Sequence, residues 1–577
     1  MPIALLWMVA ATHPASGASR SDSVLSQTLA DAASSNGVTA VSSPTAAQPS
    51  PKGELSAIID SGKLPGMRWP NFSDYIPSVK KFYETGGYVF AWTSAGRPTP
   101  QAMAMIGQFK QAQFKGLNPP DYDAPLWDAR LARLAPAVAQ PALTDLVRFD
   151  LAMTVSSMRY VSDLHLGRIN PRHFKFGLGA GAERIDLADF LRNQLLIAQD
   201  VPTVIASVER QHAGYRRAEA ALAHYLKLEA EGDGPPVPSP VRSIRPGDTF
   251  SGIPPLVQRL RQLGDLDAAG DPVLQGTVYQ GVLVDAVKHF QVRHGLEPDG
   301  ILGRGTISEL NKPLRLRVMQ LDFALERYRW LPPGFAQAPI LINIPEFRLR
   351  TLRRAEGGFL TMKVVVGKAY RTQTPVFADQ MRYVIFRPYW NVPSSIARAE
   401  LIPKIARDPS YLAAHGFEVV SGNRVITDSD VSAEVLSGLR SGAYQIRQRP
   451  GPKNALGLVK FVFPNSYNVY LHGTPAVSLF ARARRDFSHG CIRVEDPVAL
   501  AAWVLRNKPG WTVERIRAAM NGDRPVKVDL DKPIPVLILY STAVVEPDGQ
   551  VRFFNDIYGY DKKLQEALAA GYPYPSQ

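Results

Sequence analysis

The sequence predicts a multidomain α+β protein: a helical region over 54–230, a small helical unit over 241–313 and a β-rich domain over 336–540. Three observations carry this. Apolar residues recur at helical spacing in the first half, with Leu143, Leu146, Val147, Phe149 and Leu151 among them. A Pro-rich stretch, Asp233 to Pro240, is stiff by composition and divides the first helical region from the second. From Pro339 onward, short runs rich in β-branched and aromatic residues replace the helical period.

Composition bounds the class before any motif is read. A chain of 577 residues with 45% hydrophobic and 20% charged residues describes several folded globular domains. The 66 Lys and Arg against 52 Asp and Glu leave a net charge of +14, which favours an anionic partner. Nucleic acid is a poor candidate, because no Lys/Arg run, zinc-finger spacing or aromatic RNA-binding motif is present. A polyanionic wall polymer or the anionic face of a membrane satisfies the same electrostatics.

In chain order, residues 3–11 (IALLWMVAA) are apolar but too short to span a bilayer, which needs about 20 residues. With the small residues Ala15 to Ser19 they make 1–19 a signal-like segment, which predicts export, although no Lys or Arg precedes Arg20. No other stretch reads as a transmembrane span. Residues 20–53 are rich in Ser, Ala and Pro and read as a disordered linker. In 54–230, helices are expected over Pro100 to Lys115, stopped by Gly116 and Pro119-Pro120, and over Ala142 to Leu164.

In 241–313, Val282, Leu283, Ala286, Val287 and Phe290 share a helical face. Gly295 falls at a C-terminal cap, and Thr306 is placed to cap a second helix holding Ile307 and Leu310. His289 and His294 read as ordinary helix and cap residues. The β-rich domain carries strand-like runs at 340–344, 363–366, 383–386, 461–463, 469–471 and 536–540, which argue a mixed sandwich or barrel-like sheet. Asp496-Pro497 reads as the N-cap and first turn of a helix through Leu505. Residues of about 388–455 interrupt this domain with helical spacing at 397–417. An insertion that long is expected to be a lid, with an inert surface loop as the alternative.

The chemistry concentrates in two short stretches. Tyr470-Leu471-His472-Gly473-Thr474 precedes Ser488-His489-Gly490-Cys491-Ile492-Arg493, and Cys491 is the only cysteine. Three readings compete: a small buried hydrophobe, a zinc site from His472, His489 and Cys491 without the usual ligand spacing, or a nucleophile with its base. Gly490 lets backbone approach a substrate closely, and the polar loop could aim amide N–H groups at an oxyanion. A free thiol is only a few per cent ionised at neutral pH, so an imidazole that accepts its proton raises reactivity. His472 is expected to do so while titrating near neutrality.

The pattern HGT, fifteen intervening residues after the His and then SHGCIRV resembles the signature of L,D-transpeptidases with a YkuD-type catalytic domain. The resemblance implies Cys491 as nucleophile and His472 as base and later proton donor. It also implies that the Gly473 carbonyl orients His472 and that the N–H groups of His489, Gly490 and Cys491 form an oxyanion hole. Tyr470, Trp390, Ser488 and Arg493 are the substrate-binding candidates, with core packing the alternative for the two aromatics. Arg493 alternates with Ile492 and so faces the other side of its strand; it steadies the site or meets a substrate carboxylate, with a surface salt bridge as the alternative. Arg482, Arg484 and Arg485 read as a solvated basic face.

The resemblance extends along the chain. FYETGGYVFAW (82–92), GLNPPDY (116–122) and DLHLGRINP (163–171) resemble the scaffold domain of the large subclass, which tends to carry an Arg where this chain has Gly86-Gly87. DAVKHFQVRHGLEPDGILGRGTISELN (285–311) is similar to the small three-helix peptidoglycan-binding domain. PYWNVPSSIA (388–397) and RQRPGPKNALGLVKFVFPN (447–465) match the subclass's lid flanks. FFNDIYGYD (553–561) in the 541–577 extension matches without suggesting a mechanism.

The implied activity is transfer of a tetrapeptide stem, cleaved between its diamino acid and terminal D-alanine, to the side-chain amine of another stem, giving 3-3 crosslinks. The site needs no metal and no organic cofactor. Carbapenems are expected to acylate Cys491. The implied partners are peptidoglycan stems and glycan, with other cell-wall synthases left open, and the implied place is the periplasm or envelope. An L,D-carboxypeptidase with the same residues, and a non-catalytic wall-binding protein, are the alternatives.

Overall fold

A computed structural model describes residues 51–574 apart from 136–140, 179–183, 268–275, 333, 336, 353–358, 370–371, 423 and 427–429. The signal-like segment and the linker up to residue 50 lie outside the described residues, and the linker's expected end at 53 overlaps a helix that begins at Pro51. Among the described residues no helix is long and apolar enough to cross a membrane.

The scaffold region is built around the 24-residue helix Leu143–Leu166, which is buried on nearly every side from Val147 onward. A helix enclosed all round must place its polar side chains on partners. Asp150 accepts from the Tyr83 hydroxyl at 2.7 Å and from the Ala91 and Trp92 amides at 2.8 Å each. The helices Pro51–Ser61, Ile76–Thr85, Pro100–Lys110 and Val201–Val208 bury their apolar faces in the same core, beside a small hairpin of β1 (Thr93–Ser94) and β2 (Arg97–Pro98). The expected helix from Pro100 ends at Lys110 and continues as a 3-10 turn to Lys115 before Gly116. Beside Gly86, where an Arg was expected from the resemblance, the guanidinium of Arg192 stacks on Phe82 and donates to its carbonyl.

The next unit holds three helices, Ile253–Gln262, Val282–Arg293 and Arg304–Leu310. Gly295 follows the second in left-handed conformation, φ +65°. Thr306 is not the cap of the third: that position is Gly303. The Thr306 hydroxyl lies inside the helix and donates to the Ile301 carbonyl at 3.0 Å. His294 is buried, stacked on Phe290 at 3.8 Å between centroids, with Nδ1 against that residue's carbonyl.

The helix Leu314–Arg329 leads into the catalytic region. Its strands are β3 (Ile340–Asn343), β4 (Arg348–Leu352), β5 (Phe359–Gly367), β6 (Phe377–Phe386), β11 (Val459–Val462), β12 (Leu471–His472), β13 (Asp486–Ser488), β14 (Ile492–Val494) and β15 (Val526–Leu539). The insertion supplies β7 (Trp390–Asn391), β8 (Phe417–Ser421), β9 (Arg424–Ile426) and β10 (Gln445–Gln448). The large sheet runs β13-β5-β14-β12-β11-β6-β15-β3-β4, and β4 pairs back onto β5, so the sheet closes on itself. Of its pairings, β12–β14, β13–β5 and β15–β3 are parallel. Its interior is apolar and closed at one end by the helix Pro497–Val504, whose Asp496 cap accepts from Ala499 N at 2.9 Å as expected.

The insertion carries the expected helices and, beyond them, a four-stranded antiparallel sheet β7-β10-β8-β9 with its own core around Ile405, Val419 and Ile446. The C-terminal extension forms a hairpin of β16 (Ala543–Val545) and β17 (Val551–Phe553), then the helix Tyr560–Ala569. Its hairpin residues share the core of the three-helix unit. Farther on, the Tyr574 hydroxyl donates to Asp121 at 3.1 Å and the Tyr572 hydroxyl to Asp163 in the scaffold.

Between these regions and within them, buried arginines face buried carboxylates. Glu326 accepts from the Ile169 amide at 3.0 Å and pairs with Arg168 at 3.3 Å and Arg329 at 3.6 Å. Glu346 is held by Arg350 at 2.5 Å and Arg552 at 3.4 Å, and Asp265 by Arg293 at 2.5 Å.

Candidate active site

Three neighbouring strands set the site. β12 lies between β11, antiparallel, and β14, parallel, with Lys460 opposite His472 and His472 opposite Arg493. Alternation sends Val459, Phe461, Leu471, Ile492 and Val494 into the core. The same alternation brings Lys460, Tyr470, His472, Cys491 and Arg493 onto the opposite face. Cys491 precedes Ile492, the partner of Leu471, so on that face it stands beside Tyr470 and diagonal to His472, on strands about 4.8 Å apart.

His472 is 4% exposed. Its Nδ1–H donates to the Gly473 carbonyl at 2.5 Å, which fixes the tautomer and leaves Nε2 as the proton acceptor. Gly457, at φ +63°, brings the 456–458 turn against Gly473; a Cβ there would come within 2.6 Å of Thr474 N. The expectation that His472 titrates near neutrality is not met. Burial first, then the charges of Arg493 and Lys460, push its pKa down to about 3. The imidazole is therefore neutral at rest.

Cys491 immediately precedes β14, at the end of the turn that leads into it. Its thiol faces the Asn468 carbonyl at 3.7 Å, and both the amide and the hydroxyl of Tyr470 approach the sulfur. Burial pushes the thiol pKa up, with Tyr470, Lys460 and Arg493 opposing it. The resting pair is thiol and neutral imidazole rather than thiolate and imidazolium. Asn468 sits at φ +55°, a conformation asparagine tolerates. The turn around it is clamped by Asn465, which donates to the Phe463 and Val469 carbonyls at 2.6 and 2.7 Å.

The nucleophile turn is stitched from inside. Ser488, only 2% exposed, donates to the Cys491 carbonyl at 2.6 Å and accepts from Gly490 N at 3.1 Å. Its hydroxyl is thus consumed by the turn, so the structure gives it a clamping place rather than the substrate contact expected of it. The Gly490 N–H is likewise engaged. The amides of His489 and Cys491 keep no acceptor among the described residues. Gly490 itself takes φ +113°, open only to glycine at low cost. Its carbonyl accepts from the Thr374 hydroxyl at 2.8 Å, and Thr374 accepts in turn from Gly367 N at 2.8 Å. Tyr558 of the C-terminal extension completes the brace: its hydroxyl donates to the Gly367 carbonyl at 2.6 Å and accepts from Thr374 N at 3.2 Å.

The insertion touches the site at two points. The Trp390 indole N–H reaches the Tyr470 hydroxyl, and Glu400 pairs with His489 Nε2 at 2.7 Å. His489 thus turns its ring to the insertion and not to Cys491 or His472. Among the described residues no cluster of three His, Cys, Asp or Glu is arranged to hold a metal ion. Arg493 meets no described acid, so the surface ion pair is not realised; its Nε is buried without a hydrogen-bond partner. The expected basic face is corrected at Arg485, which is buried and donates to the carbonyls of Phe347 and Val364 at 3.0 and 3.2 Å. Arg484 pairs with Asp486 at 2.7 Å.

Sequence reasoning missed Lys460, Asn465, Thr374 and Tyr558. Of these, Lys460 and Asn465 lie inside the lid-flank match and the alternation of β11 could have placed Lys460; Thr374 gave no signal.

Comparison with known proteins agrees with this layout. Residues 338–528 match the family described as L,D-transpeptidase catalytic domain, of YkuD type. Residues 77–222 match the scaffold domain, and 252–310 the family described as "Putative peptidoglycan binding domain". A curated relative from Haemophilus influenzae, named "Putative L,D-transpeptidase", is 33% identical over 229 residues, 40% of this chain. The match spans 45% of that relative's length.

Proposed function

We propose, from the matches of residues 338–528 to the L,D-transpeptidase catalytic domain, 77–222 to the scaffold domain and 252–310 to a peptidoglycan-binding domain, that this chain is an exported enzyme that crosslinks peptidoglycan stems through Cys491. The observation that carries the reading is His472, tautomer pinned by Gly473, on the same sheet face as the thiol of Cys491. A buried structural cysteine would need neither the pinned imidazole nor the brace behind Gly490.

In this reading the resting thiol and imidazole stay neutral, so proton transfer accompanies attack. As Sγ bonds to the carbonyl carbon of the diamino acid–D-alanine bond, its proton passes to His472 Nε2. Negative charge develops on the carbonyl oxygen, where the free amides of His489 and Cys491 are the available donors. Collapse breaks the C–N bond, and Nε2 returns the proton to the departing amine. A thioester remains. The side-chain amine of a second stem then attacks it, gives a proton to Nε2 and, as the C–S bond breaks, the sulfur recovers that proton. Tyr470 and Trp390 border the donor groove. The contacts of Trp390 and Glu400 hold the insertion over the site, excluding water and favouring an amine over hydrolysis.

The deciding experiment incubates purified enzyme with tetrapeptide muropeptides and resolves products by mass. Crosslinked dimers, lost in Cys491→Ala while wall binding persists, are expected. Accumulation of tripeptides alone would make the enzyme an L,D-carboxypeptidase. Equal turnover by Cys491→Ala would remove the cysteine from the chemistry. A carbapenem adduct on Cys491, seen as intact mass, is the expected covalent signature.

A further inference from the structure

Two cations face the candidate active site without a counter-ion. Lys460 and Arg493 stand in register on either side of His472, on the face that carries Cys491. Lys460 Nζ is held 3.8 Å from the centroid of the Tyr470 ring, which fixes the ammonium in place and leaves its charge uncompensated. Neither Lys460 nor Arg493 forms an ion pair with a described acid, and Arg493 Nε lacks any hydrogen-bond partner. Elsewhere buried cations find an acceptor in the protein, either a carboxylate, as Arg168 with Glu326 and Arg293 with Asp265, or a backbone carbonyl, as Arg159, Arg210 and Arg485. An unmatched, partly buried charge is costly, so two of them together call for an anion from outside.

The reaction supplies one. In the proposed donor the residue leaving with the amine is the last of its peptide. Its carboxylate carbon lies three bonds from the carbonyl carbon under attack, less than about 4 Å away. Neighbouring strands are about 4.8 Å apart and successive residues rise about 3.3 Å. Arg493 follows Cys491 by two residues on the same face, about 6.6 Å along the strand, and Lys460 stands two strands away; the charges of both act on the Cys491 sulfur, so a carboxylate displaced from that sulfur towards them meets these long side chains.

We propose that Lys460 is a specificity-determining residue which, with Arg493, binds the free carboxylate of the leaving residue and so restricts the enzyme to bonds one residue from a peptide's C-terminus. This rests on acyl transfer at Cys491, whether to an amine or to water. A donor ending in a carboxamide, or continuing past the scissile bond, forfeits the contact.

The test is arranged so that it does not need turnover. Because Cys491 is the only cysteine, intact mass follows its alkylation alone. Iodoacetate, an anion, and iodoacetamide, its neutral counterpart, are compared in wild type, Lys460→Met and Lys460→Arg. Removal of one nearby positive charge is expected to lower the iodoacetate-to-iodoacetamide rate ratio about tenfold in Lys460→Met. Lys460→Arg should retain the ratio. An unchanged ratio in Lys460→Met, with the iodoacetamide rate intact, overturns the proposal.

In the second arm, Lys460→Met should raise KM for a carboxylate-terminated donor about tenfold with kcat nearly unmoved, and leave the carboxamide donor as poor as before. If the ratio falls but no donor is processed, the anion site stands and the transpeptidase reading fails. If donors are processed with neither the ratio nor the carboxylate preference altered, the anion site fails alone.

Discussion

The buried ions of this molecule fall into two kinds. At joints between its regions Glu326 and Glu346, and inside the three-helix unit Asp265, are enclosed and each is met by at least one arginine. On the sheet face that carries Cys491, Lys460 and Arg493 are half-buried and met by no described acid. Both arrangements use the same residue types. A joint satisfies its charges at folding and gains a defined docking geometry; the site leaves its charges open and gains the capacity to bind.

Four substitutions would break or sharpen that contrast. The largest effect is expected at a joint. Glu326→Ala leaves Arg168 and Arg329 buried without a carboxylate and should cost about 3–5 kcal/mol in denaturant unfolding. A loss below 1 kcal/mol would mean the joints do not depend on paired charge.

His472 gives the next effect, through pH. Its folded pKa of about 3 lies below the unfolded value of about 6.5, so between these the unfolded chain binds a proton that the folded chain does not. Stability is full above 6.5 and should decline by on the order of 4 kcal/mol as pH falls to 3. Urea unfolding of wild type and His472→Gln at pH 7 and 4.5 reads it, and the variant should lose that part of the slope.

Arg493→Met should behave opposite to Glu326→Ala. It relieves a desolvated charge, so stability should stay within about 1 kcal/mol of wild type, while kcat/KM falls roughly 100-fold. If stability falls as far as activity, Arg493 belongs with the joints.

Tyr558→Phe is the gentlest. It removes one hydroxyl behind Gly490 and should lower kcat about tenfold with KM little changed and about 1 kcal/mol of stability lost. Equal slowing of iodoacetamide alkylation would place the effect at the turn that carries the nucleophile.

Much of this layout was legible because it is local. Cys491, His472 and Gly473 lie in short contiguous patterns, and the three-helix unit announces itself by the spacing of Val282 to Phe290. Asp496 caps its helix where a cap was expected. What escaped is set by tertiary register. Thr374 meets Gly490 across 116 residues, and Tyr558 meets Gly367 across 191. No window along the chain brings such pairs together. The pKa of His472 was misread for the same reason, since its burial and its two cationic neighbours come from adjacent strands. The sheet inside the insertion went unseen because its strands have two to five residues, too few for an alternation to register. Thr306 looked like a cap because the true boundary, Gly303, carries no side chain to signal it.

The brace from Tyr558 to the nucleophile turn has a consequence for how the protein comes into being. A ribosome releases the chain from its N-terminus, so the barrel strands exist before the segment that buttresses Gly367 and Thr374. A nascent or truncated polypeptide ending near residue 540 has its cysteine but not its support. Such a chain lacks the two hydrogen bonds by which the Tyr558 hydroxyl ties Gly367 to Thr374 behind Gly490.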